Sequence, residues 1–170
     1  MRLKGDDLKI FVECYSDDFF MTRILQDMHY TKNCIRHGYG REEVYRLVNR
    51  FNKSLGVVDK DPGKTQSRDS KNNYIEIESN GLFSLHQRKD NSNLHIIQIE
   101  PDLEGCLLIL ANKHRIDISS RYDIEANWDY LHKIDIDKNR DYQAFVTEVI
   151  RVSHEINIIK TWIKKYYSNN

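Results

Sequence analysis

The sequence predicts one α/β domain with a mostly parallel central sheet of about four strands, flanked by helices and followed by a helical C-terminal extension. Three observations favour this fold class. At 170 residues the chain has the usual size of a single domain. Short apolar runs of the kind that form strands alternate with stretches of helical periodicity. Such alternation is typical of parallel strands joined by right-handed crossovers.

The first two strands and helices come from the first third of the chain. Residues 8–14 form a short β-type run, and Asp17 stands where an N-cap would begin the first helix. The apolar face of that helix is Phe20, Ile24, Leu25 and Met28. Residues 32–37 predict a weaker second strand, which ends at the turn 38–40. Helical spacing then defines a second helix through Val44, Leu47, Val48 and Phe51.

Two further strands are expected in the middle of the chain. Residues 55–59 form a third apolar run, which stops at a polar segment containing a Pro-Gly turn. Residues 63–73 lack periodicity and predict a loop. Residues 94–99 predict a strand, and residues 81–86 favour either its hairpin partner or a short helix ending before Asp90.

The remainder of the chain predicts helices. A helix after Pro101 is indicated by Leu103, Cys106, Leu107 and Leu110. The polar stretch 117–142 contains one short helix around Trp128, Tyr130 and Leu131. A long carboxy-terminal stripe comprises Val149, Val152, Ile156, Ile159 and Ile163. We therefore divide the chain into an α/β core, residues 1–112, and a helical extension, residues 113–170, packed on the same domain.

Composition and motifs exclude several classes of protein. Lysine plus arginine equals aspartate plus glutamate at 26 each, so bulk charge does not favour binding to nucleic acid or acidic membranes. The three cysteines form no CxxC pair and are expected to be reduced. No run approaches the roughly 18 to 20 apolar residues of a membrane helix, and we expect a cytoplasmic protein without membrane contact. GxSxG, P-loop, GxGxxG and HExxH motifs are absent.

Three acidic residues are expected at one edge of the predicted sheet. Asp59 and Asp61 follow the third strand, and Glu13 ends the first. Because the carboxyl ends of parallel strands share one edge, these side chains should lie together and bind Mg²⁺ or Mn²⁺. A DxD pair at a strand end is also common as a solvated turn. Glu13 favours the metal site, because a glutamate ending a buried strand is costly unless it is paired or bound to a cation.

The motifs around these acids resemble those of the Toprim family. The segment 13–17, Glu-Cys-Tyr-Ser-Asp, is similar to the E-G-x-[ST]-D signature of the first Toprim strand, and 57–61 looks like the family's DxD. The segment 100–108 is similar to the N-P-x-x-E-x-W-L-L segment after the fourth strand in RloB-like members. The resemblance covers roughly residues 8 to 112. Within the family, the chain resembles most the small nuclease-like proteins of the RloB and OLD types.

The resemblance implies a function and a role for each acid. It implies a Mg²⁺-dependent nuclease, or another phosphodiester-cleaving enzyme, of the stand-alone Toprim class with a role in phage defence. Glu13 would be a metal ligand or general acid/base, and Asp59 and Asp61 would hold Mg²⁺. Asp17 would cap the first helix or contact a second metal, and Glu104 would support the site from the helix after the fourth strand.

The sequence supports a functional role less strongly for the other residues near this edge. Lys60, Lys64, Arg41 and Arg68 could contact a phosphate backbone, although such neighbours are common in a chain with 31% charged residues. His37 is the one histidine expected near this edge and is a candidate general base. Nucleic acid is therefore the expected substrate. The carboxy-terminal helix is a candidate surface for a protein partner or a homodimer.

Two other functions fit the sequence. The first is a catalytically inactive Toprim-like regulatory or interaction subunit, which Cys14 favours because the family usually has glycine at that position. The second is a receiver-like domain that binds Mg²⁺ for phosphotransfer. Receivers carry their paired acids after strand 1, whereas here the pair follows strand 3. That order favours the nuclease or the interaction subunit over the receiver.

Overall fold

A six-stranded mixed sheet forms the centre of the protein. The computed structural model describes residues 8–30, 34–61 and 72–167. The strand order is β2-β1-β3-β6-β5-β4. The strands are β1 Ile10–Val12, β2 Ile35–His37, β3 Ser54–Asp59, β4 Tyr74–Ser79, β5 Phe83–Arg88 and β6 Asn91–Ile99.

Four of these strands match the predicted parallel set. β2, β1, β3 and β6 are adjacent and parallel, whereas β5 and β4 extend the sheet in antiparallel fashion. The hairpin alternative for residues 81–99 is confirmed, since β5 pairs with β6. The strand β4 was not predicted. Its side chains are mostly half-buried or exposed, so it lacks the apolar run that indicated the other strands.

Helices cover both faces of the sheet. They are α1 Tyr15–Asp27, α2 Arg41–Val48, α3 Leu103–Lys113, α4 Ile118–Arg121, α5 Trp128–Lys133, α6 Arg140–Val152 and α7 Asn157–Tyr167. α2 packs on one face through Val44, Tyr45 and Val48, against Phe11, Val58 and Ile96. α1, α3, α6 and α7 contribute side chains to the larger core on the other face. Both faces are therefore buried, as a parallel sheet requires.

The long carboxy-terminal stripe is not one helix. α6 ends at Val152, residues His154–Ile156 form a 3₁₀ turn, and α7 begins at Asn157. The stripe runs through this break because all three elements bury apolar side chains in the same core. In α7 the residues Ile159, Trp162, Ile163 and Tyr167 are buried, so its apolar face is used within the domain and is not available to a partner.

The start of α1 also differs from the prediction. The N-cap is Cys14 rather than Asp17, and Asp17 occupies the third helical position. The Cys14 amide donates to Asp17 Oδ2 at 3.1 Å, which is the backbone half of a capping box. The sequence therefore placed the N-cap three residues too late. An acidic residue at the third helical position also takes part in capping, so it gives the same signal as one at the N-cap.

Two further findings concern the whole set of described residues. None of the helices in residues 8–30, 34–61 and 72–167 is long and apolar enough to cross a membrane. Cys14, Cys34 and Cys106 are free thiols, as expected.

Gly56 controls how closely α2 approaches the sheet. A Cβ atom at this position in β3 would lie 2.5 Å from Ile96 Cδ1 and 2.8 Å from Val44 Cγ1. These side chains are fully buried, so they have little room to move. The glycine thus sets the position of α2, which carries Arg41 at its start.

We expect Gly56→Val to lower the free energy of unfolding by about 1 to 3 kcal/mol, because it overpacks the interface between β3 and α2. Urea denaturation followed by circular dichroism measures the change. Ile75→Val on the exposed side of β4 is the matched control and should change stability by less than about 0.5 kcal/mol. Equal stabilities for Gly56→Val and wild type would show that α2 can move away from the sheet freely.

Candidate metal centre

Five carboxylate side chains surround the carboxyl edge of β1, β3 and β6. Glu13 follows β1, Asp59 ends β3, and Asp61 lies two residues further on. Asp17 and Glu104 come from the first turns of α1 and α3. The register of the sheet explains the grouping, since Val12 pairs with Val57 and Asp59 pairs with Ile99. We call these five residues the acidic cluster.

Backbone amides hold two of the acids in place. Glu13 Oε1 accepts a hydrogen bond from the Asp59 amide at 3.0 Å, which links β1 to β3. Asp59 Oδ1 accepts from the Leu103 amide at 2.9 Å, at the start of α3. The Asp61 amide donates to the Pro101 carbonyl at 2.8 Å. The segment 59–61 is therefore fixed against the loop that joins β6 to α3.

Arg41 supplies positive charge to the acidic cluster. Its Nη2 donates to the Asp59 carbonyl at 2.6 Å and to Asp61 Oδ2 at 2.9 Å, and its Nε lies 3.7 Å from Glu13 Oε1. The Arg41 side chain is only 10% exposed. Arg41 therefore organises the acids in this structure. A phosphate could reach it only by competing with the carboxylates for the same guanidinium.

Asp17 is the most deeply buried of the five acids. Its Oδ2 accepts from the Cys14 amide and the Cys14 thiol. Its Oδ1 is buried and has no hydrogen-bond partner among the residues that the structure describes. Burial raises the pKa of Asp17 to about 7, with further contributions from the charges of Glu13 and Glu104. A buried carboxylate oxygen without a donor is satisfied by a proton or by a cation.

The pKa of Asp59 is raised further than that of Asp17. Burial raises its pKa to about 10, and the neighbouring charges of Asp17, Glu13, Glu104 and Asp61 add to the shift. Burial also raises the pKa of Glu104. Within the acidic cluster, burial and the neighbouring negative charges together thus outweigh the compensation that Arg41 provides. Such a set gains stability when a cation binds, because the cation replaces the protons.

The acids are grouped around the edge but do not converge as closely as predicted. Among the described residues, the set of three ligand atoms found within 4.8 Å of one another is His114, His154 and Glu155, outside this cluster. Mg²⁺ usually keeps several waters and binds through one or two protein carboxylates. The cluster therefore fits a hydrated Mg²⁺ or Mn²⁺ with one or two direct ligands, and the remaining acids would contact its waters. That Glu13, Asp59 and Asp61 bind a metal ion together stays a prediction.

A cleft of about 770 Å³ opens onto the cluster. Its lining includes Glu13, Asp59, Asp61 and Glu104, together with Tyr15 and Tyr39 on one side and His132 on the other. A second cleft, of about 950 Å³, shares Glu13, Tyr39 and Asp61 with the first and is lined by the exposed side of α2.

His132, Trp128 and Asp102 were not among the residues predicted for this site. His132 Nδ1 lies 3.6 Å from Glu104 Oε2, and the His132 ring stacks on Trp128 with 4.7 Å between centroids. Trp128 Nε1 donates to Asp102 Oδ1 at 2.9 Å, which attaches α5 to the start of α3. The expectation that His37 is the one histidine near this edge is therefore wrong. The spacing of Trp128 and His132 by one helical turn was a usable signal.

Of the remaining predicted residues, Lys60 and His37 lie in the described part of the chain, and Lys64 and Arg68 do not. Lys60 pairs with Glu100 at 2.7 Å, and His37 Nε2 lies 2.7 Å from Asp18 Oδ2. Lys60 and His37 are therefore each paired with an acidic residue that does not belong to the acidic cluster. Lys64 and Arg68 lie in residues 62–71, outside the described residues.

Comparison of the chain with models of protein families, with curated proteins and with solved structures found no match.

The raised pKa of Asp59 gives a prediction for the metal-free protein. The folded state holds a proton that the unfolded chain, with an ordinary carboxyl pKa near 4, has lost, so stability falls as the pH rises from about 4 towards 10. Asp59→Asn mimics the protonated acid and keeps an acceptor for the Leu103 amide. In EDTA at pH 8 it should unfold with a free energy on the order of 2 kcal/mol higher than wild type.

Urea denaturation at several pH values measures this difference. At pH 4 the difference between wild type and Asp59→Asn should be small, because Asp59 is then protonated in the folded chain and about half protonated in the unfolded chain. Asp90→Asn is the control, since Asp90 is exposed in the turn between β5 and β6 and pairs with Arg88. A less stable Asp59→Asn at pH 8 would contradict the assignment, because it would mean that the ionised carboxylate stabilises the fold.

Proposed function

We propose that this protein is a Mg²⁺-dependent nuclease, or a related phosphodiester-cleaving enzyme, of the stand-alone Toprim class. The observation that carries the proposal is the acidic cluster, in which five carboxylates are grouped beside a cleft, and burial together with the charges of the neighbouring acids raises the pKa of Asp59 to about 10. The four adjacent parallel strands and the positions of the motifs at residues 13–17 and 57–61 support the Toprim assignment. A role in phage defence follows from the resemblance alone.

The donor set determines which cation the cluster would accept. All its ligands are hard carboxylate oxygens, which suit Mg²⁺ or Mn²⁺ and disfavour softer metals. Glu13, Asp59 and Asp61 would hold the ion, one or two of them directly and the others through its waters. Glu104, which also lines the cleft, and the buried Asp17 would add negative charge around it. When bound, the ion supplies polarisation of the phosphodiester and stabilises the leaving oxygen.

The chain's own residues would position the substrate and move protons. Glu13 is half-buried at the cleft, so it can accept a proton from an attacking water without leaving its hydrogen bond to the Asp59 amide. His132 is exposed beside Glu104 and can protonate a leaving oxygen on the opposite side. Arg41 keeps Asp61 and the segment 59–61 in place. Phosphoryl transfer needs little from the protein beyond such positioning.

Exposed aromatic rings at the cleft favour a polymer substrate. Tyr39 is 78% exposed and Tyr15 is 54% exposed, and both line the cleft beside Glu13. The His37 ring lies 4.4 Å from the Tyr15 ring and 5.8 Å from the Tyr39 ring, measured between centroids, so the two tyrosines flank one imidazole. Exposed aromatic side chains stack on nucleobases without regard to sequence. Tyr15 and Tyr39 would thus bind the bases that flank a phosphodiester at the acidic cluster.

The first test measures metal binding and cleavage together. Calorimetric titration with Mg²⁺ and Mn²⁺ should show binding to wild type, and labelled DNA or RNA should be cleaved in the same buffers. Asp59→Ala should weaken metal binding about 10-fold or more, because it removes a ligand, and should reduce cleavage about 100-fold or more. Glu13→Gln should reduce cleavage to a similar extent while it retains part of the metal affinity.

Asp90→Asn is the matched control, because it removes an acid far from the cluster without changing the cleft. It should behave as wild type in both assays. No metal binding by wild type at tens of millimolar Mg²⁺ would overturn the enzyme proposal. Metal binding without cleavage of either DNA or RNA would favour the inactive alternative.

A second test concerns the aromatic side chains. Tyr39→Ala should weaken binding of single-stranded nucleic acid about 5- to 150-fold, because stacking contributes about 1 to 3 kcal/mol per base. Tyr39→Phe keeps the ring and should bind as wild type. Fluorescence anisotropy with a labelled oligonucleotide measures the affinity, and Mg²⁺ affinity should be unchanged in both variants. Equal binding by Tyr39→Ala and Tyr39→Phe would show that the ring does not contact bases.

The inactive regulatory or interaction subunit is the second candidate function. Arg41 favours it, because a guanidinium that bridges Glu13 and Asp61 already neutralises part of the charge that a cation would neutralise. Cys14 favours it too, since a side chain stands where the Toprim family usually has glycine. The raised pKa of Asp59 favours the enzyme, because a buried carboxyl beside other acids gains from a bound cation in place of its proton.

A further inference from the structure

A second group of metal-ligand side chains lies at the far end of α3. His114 follows the last residue of α3, and His154 and Glu155 belong to the 3₁₀ turn between α6 and α7. One ligand atom from each of the three residues lies within 4.8 Å of the other two. Glu104 and His114 are ten residues apart on one helix, so about 15 Å separates this group from the acidic cluster.

The two histidines each lie beside one oxygen of the Glu155 carboxylate, and the three ligand atoms lie within 4.8 Å of one another. His114 Nε2 lies 2.8 Å from Glu155 Oε2, and His154 Nε2 lies 3.5 Å from Glu155 Oε1. Two ligands that are each about 2.0 to 2.1 Å from a tetrahedral zinc ion lie about 3.3 Å apart. Small rotations of the side chains would therefore bring all three atoms to one ion.

Two of the three ligands are held in place by the fold. The His114 amide donates to the Leu110 carbonyl, and Asn80 Nδ2 donates to the Glu155 carbonyl at 3.0 Å. The His114 side chain is 17% exposed and that of Glu155 is 10% exposed. His154 is 74% exposed and can turn towards an ion that the other two hold. The group thus combines two positioned ligands with one adaptable ligand.

Glu155 Oε1 faces an ion-pair partner but no well-directed hydrogen-bond donor among the described residues. It is buried, and no hydrogen bond reaches it with good geometry from the part of the chain that is described. Lys113 Nζ lies 2.6 Å away as an ion pair, but its ammonium belongs to a side chain that is 57% exposed and can move into solvent. A divalent cation at this position would supply more charge and a better directed bond than the lysine does.

We propose that His114, His154 and Glu155 bind one zinc ion. Two imidazoles and one carboxylate are a ligand set that suits zinc and disfavours Mg²⁺, so this site and the acidic cluster select different metals. The ion connects the end of α3 to the junction of α6 and α7 and displaces the Lys113 ammonium. Three protein ligands leave a fourth position for water. The inference does not depend on the nuclease proposal.

Calorimetric titration of the metal-free chain with zinc chloride tests the proposal. Wild type should bind one zinc ion more per chain than His154→Ala, or bind it at least 10-fold more tightly. Because His154 is exposed, this variant keeps the fold. Lys113→Met should bind zinc several-fold more tightly than wild type, since the competing charge is gone. At 100 times the dissociation constant, zinc should raise the melting temperature of wild type by roughly 5 to 10 °C.

Two further variants make the outcome decisive. Glu155→Gln should lose the same zinc ion as His154→Ala, whereas Asp59→Asn should keep it, because the acidic cluster lies at the other end of α3. Cobalt in place of zinc should give the visible absorption of a four-coordinate ion in wild type and not in His154→Ala. Identical zinc stoichiometry and affinity in wild type, His154→Ala and Glu155→Gln would overturn the proposal and leave Glu155 as an ion-pair partner of Lys113 and His114.

Discussion

Burial of several mutually repelling carboxylates at one edge of the sheet is the constraint on which the rest of the site depends. Asp17 and Asp59 are too buried to be solvated, and Arg41 alone offsets only part of their charge. Every nearby feature of the backbone reduces this cost. The amides of Cys14, Asp59 and Leu103 each donate to a carboxylate, and the tight packing at Gly56 sets the position of the helix that carries Arg41. The fold therefore maintains a destabilising cluster, which is expected of a functional site.

The parallel part of the fold was predictable because its signals are local. Both faces of β1, β3 and β6 are buried, so these strands appear as continuous apolar runs that end where the acids begin. Glu13, Asp59 and Asp61 could be placed at one edge for the same reason. β4 could not be predicted, since an edge strand with one exposed face carries too few apolar residues. The break at Ser153 was hidden because helices on both sides of it bury residues of one continuous stripe.

The details of the site depend on contacts between distant segments, which sequence periodicity does not report. Arg41 was predicted to contact phosphate because it is basic and near the edge, but its position at the start of α2 brings it to Asp61 and Glu13. His132 reaches Glu104 only because Trp128 donates to Asp102 and thereby attaches α5 to α3. In each case a residue's role follows from a tertiary hydrogen bond between side chains that are tens of residues apart.

The two proposed metal sites use α3 in different ways. At its start, Glu104 adds negative charge to a cluster of hard oxygen ligands that is exposed to a wide cleft. At its end, His114 contributes nitrogen to a compact group that lies between helices. A cation at the first position would relieve repulsion where substrate can enter, whereas one at the second would strengthen packing where α6 and α7 meet the core. Loss of the second ion should therefore lower stability more than it changes the chemistry at the cleft, because about 15 Å of helix separates them.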